Sequence, residues 1–169
     1  MIGQPGVGRS SFVNTFFSEI IVPSERQREA ERCSLVVHRT TRIEGGVRLD
    51  IEITEVLGFS SPAKLADSEF TEKLLDHLKS YHLSVFNKEH SATRHLEDCH
   101  DDLIHAVLYF IPPTFSQFTK AEMLFFKELQ KLSIVVPIIS KADMYTSYEL
   151  EHKKMLVPDA LLFHCSDRL

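Results

Sequence analysis

The stretch that most constrains this chain is "GQPGVGRSS", residues 3–11, followed at once by "FVNTFFSEII". A glycine, four residues, a second glycine, a basic residue and a serine form the spacing of a loop that folds its backbone amides around a phosphate chain. Phe12, Val13, Phe16, Phe17 and Ile20 recur at helical spacing, so the loop opens a helix whose N-terminus adds to the anion-binding character. A loop of this kind normally follows a buried strand, yet only Met1 and Ile2 precede Gly3. The basic residue is Arg9, where the motif has lysine.

The rest of the chain alternates strand and helix signals. "SLVVHRTTRI" and "VRLDIEI" read as an antiparallel pair turning through Gly45 and Gly46, with Val47, Leu49, Ile51 and Ile53 on one half-buried face. "FSSPAKLADSEFTEKLLDHLKSYH" carries Phe70, Leu74, Leu78 and Tyr81 along one helical stripe. "HAVLYFIPP" and "IVVPIIS" are continuous apolar runs of the kind buried on both faces, with Pro137 expected near an edge or a strand start. Between them, "KAEMLFFKELQKL" is amphipathic, with Phe125, Leu129 and Leu132 in register. Thr146 and Glu149 have capping-box spacing and open a helix through Met155. "ALLFHC" closes as a strand. The expected fold is α/β, a three-layer αβα sandwich of the P-loop NTPase type with a mostly parallel sheet.

A length of 169 residues suits one domain, and a net charge of −5 gives no global electrostatic case for nucleic acid or anionic lipid. Cys33, Cys99 and Cys165 are odd in number and far apart, which suits a reducing, cytosolic compartment better than a disulfide framework.

Two segments carry chemistry. In the loop, Gly3, Gly6, Val7, Gly8, Arg9, Ser10 and Ser11 are the candidate phosphate-binding residues, with the Ser10 hydroxyl placed to ligate Mg²⁺. In "SKAD", directly after the strand "IVVPIIS", Asp143 can accept two hydrogen bonds from a guanine edge while the stem of Lys141 lies over the base. The plainer reading of Asp143 is a helix cap. "HLEDCHDD", with His95, Cys99, His100 and Asp101, is a weaker candidate for a metal site, and a solvated charged insert explains it as well.

The two motifs in this order, with the stretch "HAVLYFIPPTFSQFTKAEMLFFKELQKLSIVVPIISKADMYTSYEL", resemble the septins, filament-forming GTP-binding proteins. The resemblance runs from Gly3 to about Met155 and implies one septin-type G domain over 1–169, lacking the first strand and the C-terminal septin-specific element. It implies GTP or GDP as ligand, other septins as partners, and cytoskeletal filaments in the cytoplasm, at the cell cortex or division site. The family's polybasic membrane-binding segment would lie ahead of the loop, so this stretch gives no support for membrane association.

The family's "DTPGFGD" reads here as "EVLGFSS", residues 55–61. Gly58 keeps the amide near the γ-phosphate, and Glu55 stands at the Mg²⁺-associated aspartate position. The family's "GHG" loop, which sends a histidine toward a neighbouring subunit's nucleotide, reads "FSQ" at 115–117. Thr40 and Thr41 fall near the switch threonine only across a one-residue gap, so no catalytic residue is assigned. Arginine replaces a compact cation with a wide planar fork. The expectation is therefore a scaffold subunit that binds guanine nucleotide weakly or not at all, with little hydrolysis. Open beside it stand an active GTPase using Arg9 and a nucleotide-free interaction module.

Overall fold

The computed structural model describes residues 1–23, 33–90 and 103–157. The phosphate-loop pattern folds as expected into a turn and a helix, α1 (Arg9–Phe17), while ahead of it, where the first strand was expected to be lacking, Ile2–Gly3 form a two-residue strand, β1. Ile20 lies beyond the end of α1 and is exposed, because the helix closes at Ser18 in the left-handed conformation.

β2 (Ser34–Glu44) and β3 (Val47–Leu57) form an antiparallel hairpin through Gly45 and Gly46, both with positive φ. The expected half-buried face holds only near the sheet. Val47 and Leu49 are exposed, whereas Glu55 and Val56 are buried, so β3 runs four residues past Ile53 to reach the core. Hydrogen bonds from the Met1 nitrogen to Thr54 O (2.6 Å) and from Val56 N to Met1 O (3.0 Å) dock β3 against the start of β1 in parallel.

A short 3₁₀ turn (Pro62–Ala66) leads into α2 (Ser68–His90), whose buried residues are Phe70, Leu74, Leu75 and Leu78. Tyr81 continues the stripe but is half-buried. β4 (Ala106–Ile111) is the sheet's centre, parallel to β1 on one side and to β5 (Ile134–Ile139) on the other. Between them α3 (Lys120–Gln130) buries Phe125, Phe126 and Leu129.

Sequence periodicity overstates the burial of β5. Val135 is buried, but Ile134 and Val136 are exposed. β5 is the edge of this sheet among the described residues, which also explains how Pro137 is accommodated there. α4 (Ser147–Met155) starts at the expected Thr146–Glu149 capping box. The strand expected at "ALLFHC" and the metal candidates His95, Cys99, His100 and Asp101 lie outside the described residues.

Adjacent residues of β4 separate the layers. Phe110 meets Phe12 of α1 edge-on at 5.5 Å, and Tyr109 meets Phe126 of α3 edge-on at 4.9 Å. Successive strand residues point to opposite faces, so α1 covers one face and α3 the other. α2 joins the α3 side, where Phe59 bridges Phe70 and Tyr109. This is the expected three-layer α/β arrangement. Tyr109 also donates to Glu122 Oε1 at 2.7 Å, inside the core. Among the described residues no helix is long and apolar enough to cross a membrane.

Candidate nucleotide-binding site

β1, β3, β4 and β5 all run the same way, so their carboxyl ends share one edge of the molecule. All three sequence-predicted segments follow those ends: the glycine loop leaves β1, Gly58 follows β3, and "SKAD" follows β5. Ligands bind at that edge of such sheets.

The glycines of the loop have separable reasons. A Cβ at Gly3 would stand 2.7 Å from the Phe110 Cβ, so the strand passes too close to β4 for any side chain. Gly6 and Gly8 have φ of 78° and 94°, conformations that L residues rarely adopt. Gly8 caps α1 with no side-chain hydrogen bond, leaving the first-turn amides of Arg9, Ser10 and Ser11 without a capping side chain. Val7 is buried against Gly3 and holds the turn in place. This backbone suits an anion such as a phosphate chain.

The cation of the loop is turned inward. Arg9 Nη1 donates to Val56 O at 2.7 Å, and Nη2 lies 3.3 Å from Glu55 Oε1. Glu55 is 4% exposed, and its other oxygen is 3.7 Å from His38 Nε2 on β2. Burial lowers the Arg9 pKa and Glu55 opposes that fall. Arg9 and Glu55, read from the sequence as a phosphate ligand and a metal-associated acid, are thus each other's partners. Ser10 sits in the first turn of α1, the position from which the motif's hydroxyl would ligate Mg²⁺. No cluster of three or more His, Cys, Asp or Glu side chains suited to a metal occurs among the described residues. The loop backbone fits a phosphate, while Glu55, the residue expected near Mg²⁺, is paired with Arg9.

At the other end, Ser140 N donates to Ile111 O at 3.0 Å and ties the start of "SKAD" to β4. Lys141 adopts φ 52°, Met144 N donates to its carbonyl, and Lys141 and Asp143 are exposed at the rim. α4 braces this loop. Tyr145 donates to Pro113 O at 2.5 Å, and Lys153 donates to Phe115 O in the β4–α3 connection. Thr40 and Thr41 lie within β2, opposite Ile51 and Asp50, and Thr41 donates to Asp50.

Sequence reasoning missed His38 as the second neighbour of Glu55. Strict register across the hairpin, where Glu55 opposes Val36, places His38 two residues along on the same face, but only once the pairing is known.

A septin family profile covers residues 1–164. The chain belongs to the septin family. Cell division control protein 10 of Candida albicans is 30% identical over 97% of this chain and 47% of its own length. Septin-8 of Rattus norvegicus is 29% identical over 95% of this chain and 36% of its own. Septin-2 of Drosophila melanogaster is 28% identical over 90% and 36%. This septin chain thus spans less than half the length of these curated relatives.

Proposed function

We propose that this septin chain is a G domain that binds guanine nucleotide at the edge formed by the glycine loop and "SKAD", and serves mainly as a filament subunit with other septins. Turnover is slow or absent. The observation that carries this reading is the Arg9–Glu55 pair. Phosphoryl transfer depends on positioned charge, and this pair directs the loop cation toward a buried carboxylate and the Val56 carbonyl.

In this reading the amides that follow Gly6 and Gly8 hold the phosphates. Gly58 offers a further amide, the Lys141 stem covers the base, and Asp143 accepts from the guanine edge. The family match supports guanine as the base, and the shared carboxyl-end edge supports one continuous site. Residues 1–169 act as one septin-type domain, and assembly places it in cytoskeletal filaments in the cytoplasm.

The test is to denature purified protein, quantify released guanine nucleotide by ion-exchange chromatography, and then follow phosphate release from added GTP over hours. Bound GTP or GDP with no steady phosphate release supports the reading. Sustained release identifies an active GTPase that uses Arg9. Absence of nucleotide, with no binding at millimolar GTP, identifies a nucleotide-free interaction module. Sedimentation with partner septins checks assembly, and a chain that stays monomeric with each of them removes the filament role.

A further inference from the structure

The turn that carries Lys141 and Asp143 is not held by packing, because Lys141, Ala142, Asp143 and Met144 are all exposed. Inside it, Met144 N donates to Lys141 O at 3.0 Å and Tyr145 N to Ala142 O at 3.3 Å. Those bonds set the shape of the turn but not its place on the molecule. Place comes from its two feet. Ser140, 4% exposed, donates its N–H to Ile111 O at 3.0 Å, and the Tyr145 hydroxyl donates to Pro113 O at 2.5 Å. Both acceptors lie at the exit of β4, so one strand end clasps the turn on either side of Asp143.

The second foot rests on packed structure. Phe115 N donates to Pro112 O at 3.0 Å, and the buried Phe115 ring lies 4.6 Å from that of Phe118. Phe118 in turn meets Phe126 of α3 edge-on at 5.4 Å. Lys153 of α4 donates to Phe115 O, and its Nζ stands 5.7 Å from the centres of both the Phe115 and Tyr145 rings. A cation at that distance attracts each ring face, so Lys153 ties the tyrosine ring to the connection. On the chain's other side, the Thr146–Glu149 capping box fixes the backbone next to Tyr145. Burial and then Glu149 raise the Tyr145 pKa, so the hydroxyl stays protonated and able to donate.

We propose that Tyr145 is a positioning residue for base recognition: clasped to Pro113 and steadied by Lys153, it sets the Asp143 carboxylate at the guanine edge. The proposal rests on the reading of Asp143 as the group that accepts from guanine. A turn held only at Ser140 would have to be ordered when the base arrives, and that ordering would be drawn from the binding free energy.

A neutral hydrogen bond shifts a local equilibrium by about three- to tenfold, which sets the scale of each effect. In the nucleotide-free chain, Tyr145→Phe should speed amide hydrogen exchange at positions 144 and 145 by that factor and leave the amides of β4 unchanged. Calorimetric titration should show GTP affinity falling about three- to tenfold. In the Asp143→Ala chain the same substitution should cost less than about twofold, because the group it positions is gone. A merely structural role would lower affinity equally in both backgrounds. Lys153→Met, which keeps the tyrosine hydroxyl but removes the cation beside its ring, should repeat the pattern. Unchanged exchange at 144 and 145, unchanged GTP affinity, or equal losses with and without Asp143 would overturn the proposal. If no GTP binds, or Asp143→Ala leaves GTP affinity unchanged, the base-reading role of Asp143 falls and this proposal with it. A normal loss in Asp143→Ala beside none in Tyr145→Phe removes the role of Tyr145 alone.

Discussion

Arg9 and Glu55, one on the first turn of α1 and one near the end of β3, form a buried ion pair at 3.3 Å, and Val56 O accepts a second bond from the same guanidinium. The pair links the phosphate loop to β3 and fixes the cation away from open solvent. Such a pair contributes little over an apolar replacement, but removing one member leaves a charge stranded.

Glu55→Gln is therefore expected to destabilise the protein by about 3 kcal/mol, lowering the melting temperature by roughly 6–12 °C. Replacing Arg9 by Met in the same chain should recover a good part of the loss. Thermal unfolding of both variants reads this directly, and a loss below about 1 kcal/mol for the single variant would show that the pair is not held as described.

Tyr109→Phe removes the donor that Glu122 Oε1 accepts from inside the core, where Glu122 is 1% exposed. The other oxygen keeps its bonds from Thr119, so α3 stays capped. The expected cost is about 1–3 kcal/mol in denaturant unfolding, with no change in the extent of helix.

Asp143→Ala acts at the rim, where the side chain is exposed, so stability should change by no more than about 0.5 kcal/mol. GTP affinity should fall roughly 10- to 100-fold while ATP affinity is unaffected. Calorimetric titration with both nucleotides checks the base-reading role, and an unchanged GTP affinity removes it.

Much of the architecture was legible because local rules were enough. Gly6 and Gly8 announce a turn that only glycine makes, and Thr146 with Glu149 announces a helix start. Thr119 and Glu122 carry the same spacing and form the same capping box at the start of α3. The burial of β5 is not legible in its apolar run, because composition cannot tell a central strand from an edge. The Arg9–Glu55–His38 contacts were beyond reach for another reason. They join α1, β3 and β2, which only tertiary packing brings together.

The β2–β3 hairpin reaches well past the body of the sheet, with Ile43 and Val47 exposed at its tip and Glu55 and Val56 anchored at its base. A ladder held at one end opens like a zipper from the other. Amides near Gly45 and Gly46 then exchange with solvent through local fraying, while those beside Val56 wait for the whole domain to unfold. One hairpin thus joins a tip that opens locally to a base whose opening requires the sheet itself to come apart.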